Sequence, residues 1–111
     1  MYKIFGIKNC STVKKALDHL EQAEVDFDFV DFKKNPPTKE QIDLWKKSFG
    51  DWPVNKKGRT FQQMKEEFEA SKDQEKYQLI IEKSSMIKRP ILMKGKKVIS
   101  FGLDLEVYEK L

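Results

Sequence analysis

The stretch from Tyr2 to Phe32 sets the tightest limit on what this chain can fold into. A short apolar run, Tyr2 to Ile7, passes through Lys8 and Asn9 to Cys10 and then at once into a helical pattern. Val13, Ala16, Leu17 and Leu20 recur at three- and four-residue spacing, which makes one apolar helical face. A second strand pattern runs from Val25 to Phe32. Val25, Phe27 and Phe29 alternate with Asp26 and Asp28 before Val30 and Phe32 shift the phase, which predicts a bulge or a strand buried on both faces. Two consecutive strands joined by a helix pair in parallel through a right-handed crossover, so the opening commits the chain to an α/β sheet.

The remainder completes that sheet after an interruption. Asn35-Pro36-Pro37 breaks the second strand, and Thr38 with Gln41 forms a capping box for a helix carrying Ile42, Leu44, Trp45 and Phe49. Gly50-Asp51-Trp52-Pro53 closes it. Thr60 with Gln63 predicts a second capping box, opening a helix through Phe61, Met64 and Phe68. Asp73 starts a fourth helix, with Tyr77, Ile80 and Ile81 as its apolar face. Beyond Pro90, the runs Ile91-Leu92-Met93 and Val98-Ile99-Ser100-Phe101 flank Lys94-Gly95-Lys96-Lys97, a hairpin signature, and Leu103 to Leu111 reads as a terminal helix. The order β-α-β, helical block, β-β-α predicts a thioredoxin-like fold with a central α-helical insertion. The expectation is one domain over residues 1–111, with the insertion at about 36–86.

Charge restricts the partners. The formal net charge is +4, but 22 basic residues are interleaved with 18 acidic ones, the pattern of a solvated surface rather than a polyanion-binding face. Zinc-ligand spacing, a recognition helix and RNA-stacking aromatics are all missing, so direct nucleic-acid binding is not expected. There is no long apolar stretch and no charged-then-apolar opening segment, so no membrane association is expected. A single cysteine rules out a disulfide framework within the chain. The expected location is the reducing cytoplasm, where a free thiol persists.

That one cysteine sits where chemistry is favoured. At a strand-to-helix turn, backbone N–H groups and the positive end of the helix dipole favour thiolate over thiol. Lys8, Lys14 and Lys15 surround Cys10 with positive charge. The N–H groups of Ser11, Thr12 and Val13 suit an oxyanion or the carboxylate of a thiol peptide. Lys14 lies four residues beyond Cys10, on the same helical face. The sole histidine, His19, is too far along the helix to form a Cys–His dyad and reads as a surface residue.

Three segments together carry a resemblance. Asn9-Cys10-Ser11-Thr12-Val13-Lys14-Lys15-Ala16, Val54-Asn55-Lys56-Lys57-Gly58-Arg59-Thr60-Phe61 and Ile87-Lys88-Arg89-Pro90-Ile91-Leu92 resemble, in order and spacing, the ArsC/Spx family of glutaredoxin-linked arsenate reductases and their regulatory relatives. The likeness spans the chain and includes Gly102-Leu103, where the family commonly has Gly-Phe. It implies a thioredoxin fold with a helical insertion, a catalytic cysteine at Cys10 and an external thiol such as glutathione, or a redoxin, to resolve the cysteine adduct. It also implies that Pro90 is a cis-proline facing the thiol, with Arg89 beside it to bind an anionic substrate. Three arginines flank the cysteine of the arsenate enzymes. Here Arg89 is the one retained, and the other two positions fall on or near Asn55 and Gly102.

Two readings follow from the resemblance. The first is an arsenate reductase-like, thiol-dependent reductase acting on a disulfide or an arsenate-like oxyanion. Its site would be Cys10 with Arg89, Pro90, Lys8, Ser11, Thr12 and Lys14, working as a monomer without a bound cofactor. The second is an Spx-like regulatory protein that binds RNA polymerase without catalysis. Val13 stands where the regulatory relatives' switch has its second cysteine, so no intramolecular disulfide switch can form.

Overall fold

The computed structural model describes residues 1–111, every one in the sequence. It divides into two compact units, Met1–Asn35 with Arg89–Leu111, and Pro36–Lys88. The first holds a four-stranded sheet in the order β2-β1-β3-β4, made of β1 (Tyr2–Gly6), β2 (Phe27–Asp31), β3 (Ile91–Lys94) and β4 (Lys97–Phe101). β1 pairs in parallel with β2 across α1 (Ser11–Gln22), and antiparallel with β3. The expected element order is therefore the observed one.

One face of this sheet is covered by α1 and by α5 (Leu105–Glu109), which touch each other. Ile4 of β1, Leu92 of β3, Ala16 and Leu20 of α1, and Tyr108 of α5 form its buried cluster, edged by Leu17, Phe27, Phe29 and Ile99. The alternation of strand residues explains the choice, because Ile4 and Leu92 are register partners and point the same way. Their neighbours Phe5 and Ile91 point to the opposite face and are also buried. On that side the Phe5 and Phe32 rings stack with centroids 6.2 Å apart. The hairpin turn between β3 and β4 is Gly95-Lys96, with φ +61° at Gly95 alone. A positive φ confined to the first central residue is the type II′ pattern, which only glycine adopts without strain.

The structure corrects several local expectations. β2 covers Phe27–Asp31 rather than Val25–Phe32, and its ladder with β1 is regular from Tyr2↔Phe27 to Gly6↔Asp31. It is neither bulged nor buried on both faces. It is an edge strand, and Phe27, Phe29 and Val30 are half-buried. Phe32 lies past the strand end, with its N–H bonded to the Gly6 carbonyl at 2.9 Å. The register irregularity of this sheet falls between Leu92 and Met93, opposite β4. The terminal helix is shorter than Leu103 to Leu111 because Asp104 caps it, its carboxylate accepting from the Val107 N–H.

The second unit is helical, with α2 (Lys39–Phe49), α3 (Arg59–Ala70), α4 (Asp73–Glu82) and a 3-10 turn at Ser84–Met86. The Thr38–Gln41 capping box forms as expected. The Gln41 N–H donates to Thr38 Oγ1 at 3.1 Å, and the Thr38 N–H donates to Gln41 Oε1 at 3.0 Å. The second box does not form. α3 begins at Arg59 after an extended Gly58, so Thr60 already lies inside the helix. An isolated bridge, Val54↔Ile87, ties the segment before α3 to the end of the unit. Trp45 and Ile42 of α2 are fully buried, and Trp52 meets the Tyr77 ring edge-on at 4.9 Å. No helix is long and apolar enough to cross a membrane.

Two substitutions separate core from cap. Leu20→Ala removes a fully buried side chain and is expected to cost about 2–5 kcal/mol. Thr38→Ala, which removes half of an exposed capping box, is expected to cost about 1 kcal/mol. Urea unfolding midpoints of the two variants check both values.

Candidate functional site

β1 runs through the middle of its sheet and delivers the chain, at Lys8 and Asn9, to the start of α1. Cys10 is the residue capping that helix. It has extended backbone angles (φ −118°, ψ 122°), and its carbonyl accepts the first helical bond from the Lys14 N–H at 2.9 Å. Its side chain therefore sits where the first-turn N–H groups have no helical carbonyl to bond. No acidic side chain occupies the first turn to compete for them. The sulfur makes no side-chain cap bond of full hydrogen-bond geometry. The Val13 and Thr12 N–H groups instead act on it as nearby donors.

Arg89 reaches the same sulfur from the other side of the chain. β3 pairs antiparallel with β1, with Phe5 opposite Ile91. The residues just before β3 thus arrive beside the end of β1, close to where Cys10 begins α1. The Arg89-Pro90 peptide bond is cis, as the resemblance implies. The Pro90 carbonyl accepts from the Gly102 N–H at 2.8 Å, tying the lead-in of β3 to the residue after β4. Gly102 is buried and has φ +73°, a left-handed conformation that side chains rarely adopt.

These surroundings fix the ionisation of the thiol. Partial burial raises the Cys10 pKa. That rise is outweighed by the Val13 N–H, by the hydrogen bond and charge of the Arg89 guanidinium, and by the Thr12 N–H, so the thiol titrates below its ordinary value. A folded pKa below the unfolded one stabilises the native state fully above the unfolded thiol's pKa. That contribution disappears as pH falls through the lower, folded value.

The other expected site residues are placed as follows. Ser11 is the first residue of α1 and is exposed, and Thr12 is half-buried. Lys8 and Lys14 are both exposed and flank Cys10 in the chain. Asn55 belongs to the other unit, where its N–H bonds the Met86 carbonyl at 2.8 Å. His19 is not a plain surface residue. It is half-buried, with its ring 6.2 Å from that of Tyr108. The Tyr108 hydroxyl is raised to about 12 by burial, which outweighs the Ser100 hydroxyl near it. No group of three or more His, Cys, Asp or Glu side chains is arranged to hold a metal ion.

Comparison with known proteins gives a consistent picture. The sequence profile of the ArsC family matches residues 5–111. An uncharacterized protein of Haemophilus influenzae is 33% identical over 105 residues, covering 92% of each chain. Among solved structures, the YFFB protein is 34% identical with a TM-score of 0.86, covering 99% of this chain and 97% of that one. An arsenate reductase (ArsC) related protein from Brucella melitensis is 32% identical with a TM-score of 0.73, covering 98% and 92%. A possible arsenate reductase from Streptococcus mutans is 28% identical with a TM-score of 0.75, covering 92% and 90%. The thioredoxin-like architecture expected from the order of elements is thus shared with solved structures along the whole chain.

Thiol alkylation as a function of pH checks the site. Cys10 is expected to react with a midpoint below that of a free cysteine. Arg89→Ala raises the midpoint and Arg89→Lys raises it less. At any pH well below the midpoint, the rate falls by roughly three- to fourfold per unit of rise, because the loss of thiolate outweighs its greater nucleophilicity.

Proposed function

This chain belongs to the ArsC family, and from that premise we propose that it is a thiol-dependent reductase whose attacking sulfur is Cys10. The single observation that carries the reading is the hydrogen bond and charge contact from Arg89 to the Cys10 thiol. A guanidinium at a thiol with a lowered pKa serves two steps. It holds the thiolate before attack, and it offers donors to the negative charge that arrives or develops next to it.

With a disulfide as substrate, the Cys10 thiolate bonds to one sulfur and the S–S bond breaks. The leaving sulfur departs as a thiolate and is protonated by solvent. An external thiolate, from glutathione or another small thiol or a redoxin, then attacks the mixed disulfide and releases Cys10. With an arsenate-like oxyanion, Cys10 forms an S–As bond and water leaves. The external thiol next bonds to the Cys10 sulfur, and the S–As electron pair stays on arsenic. A second external thiol then reduces the resulting mixed disulfide. The arsenate route takes its two electrons from two external thiols, while in the disulfide route one external thiol takes the place of the departing sulfur in a new disulfide.

In this reading Pro90 and Arg89 bind the substrate opposite Cys10. The Ser11 and Thr12 N–H groups face its negative charge, while Lys8 and Lys14 add positive potential at an exposed mouth. The retention of one family arginine favours disulfides over arsenate. A lysine point charge does not reproduce the forked guanidinium that grips a tetrahedral oxyanion. The reaction needs one chain and no bound cofactor, and it suits a reducing compartment that keeps external thiols available.

Turnover assays test the proposal. The purified chain is given a glutathione mixed disulfide or arsenate with glutathione, and disulfide product is followed through NADPH and glutathione reductase. Cys10→Ser is expected to abolish turnover. Arg89→Ala is expected to lower kcat/KM about 10- to 100-fold, the value of one hydrogen bond to a charged group. No turnover with either substrate, or turnover that survives Cys10→Ser, overturns the proposal.

A further inference from the structure

Gly6 closes β1 inside the buried part of the sheet, next to the turn that carries Cys10. Its backbone is held in place. It is in register with Asp31, and its carbonyl accepts from the Phe32 N–H at 2.9 Å. A methyl built on its Cα would meet Val13 Cγ2 at 2.8 Å, Cγ1 at 3.2 Å and Cβ at 3.6 Å. The first distance is shorter than real side-chain contacts allow, so something has to shift. Val13 cannot yield by turning. Both γ-carbons face the intruding position, so rotation exchanges one clash for another, and a β-branched residue in a helix has a single strongly preferred rotamer. Val13 is also fully buried in the core. The first turn of α1 is what has to move, and the Val13 N–H that acts on the Cys10 sulfur belongs to that turn.

We propose that Gly6 is a positioning residue for the candidate site: its bare Cα leaves room for the Val13 side chain, and this clearance lets the first turn of α1 set the Val13 N–H at the Cys10 sulfur. The inference rests on the reading of Cys10 as the attacking thiol and adds a residue that does not itself touch the substrate. It also explains the placement of a glycine within a central strand, where the missing side chain otherwise weakens the strand. In a strand that needs only to pair, alanine would serve better.

The test is the pH profile of Cys10 alkylation in Gly6→Ala, Val13→Ala and the double variant, with folding followed by circular dichroism and urea unfolding. Gly6→Ala is expected to move the alkylation midpoint upward, because the Val13 N–H no longer favours the thiolate as strongly. Val13→Ala keeps the N–H and removes the obstacle, so its midpoint stays near that of the parent. The double variant is expected to return to the Val13→Ala midpoint, a rescue that general destabilisation does not produce. A Gly6→Ala chain that unfolds while the double variant folds with the parental midpoint supports the proposal equally. A folded Gly6→Ala chain with an unchanged midpoint overturns the proposal, as does a double variant that stays unfolded or keeps the raised midpoint. These readouts follow the thiol and not turnover, so a parent chain inactive on every substrate refutes the proposed reaction and leaves this inference to be judged on its own data.

Discussion

The central dependence in this molecule is the junction between the end of β1 and the start of α1. A thiolate next to a sheet is disfavoured by partial burial, and here that burial is the largest influence on Cys10. Ionisation is nevertheless favoured because first-turn N–H groups and one guanidinium converge on the sulfur. That convergence needs β1 in the sheet interior, α1 packed tightly on it and β3 antiparallel beside it. The parallel β1–β2 ladder and the α1–α5 layer fix the first two, and the hairpin of β3 with β4 fixes the third. The site therefore depends on the fold as a whole more than on any motif within it.

This explains which parts were legible in the sequence. The βαβ opening and the closing hairpin were readable because their signals are local, with period two in the strands, helical spacing in α1 and Gly95 in a two-residue turn. The Thr38–Gln41 box was readable for the same reason. Thr60 and Gln63 have equal spacing yet form no box. The Gly58 N–H bonds the Asn55 carbonyl at 3.0 Å, and this tight turn starts α3 early. Capping spacing says where a cap is possible, and the incoming chain decides whether it is used. The limits of β2 were misread because alternation cannot distinguish a bulge from an edge strand. That difference lies in which strands stand beside it.

Within the site, Cys10 and the N–H groups of α1 could be read from one short segment. Arg89 could not, because its partnership with Cys10 is set by the β1–β3 register, and no local pattern encodes a register between distant strands. Family likeness supplied it. Gly6 left only a faint trace, a glycine inside an apolar strand, which says that something approaches closely without saying what. The half-buried place of His19 beside Tyr108 had no local signal, since its neighbour comes from the last helix of the chain.

The presence of one sulfur in the chain has a consequence of its own. A protein with a pair of cysteines can keep an oxidising equivalent as an internal bond and wait. Cys10 is free, with no second cysteine in the sequence, so in the proposed reaction the oxidising equivalent is held as a bond to the substrate. The loaded protein then carries that molecule as covalent cargo until another thiol arrives. Its lifetime in that form is governed by the supply of thiols around it, and the fraction of chains carrying cargo becomes a readout of that supply.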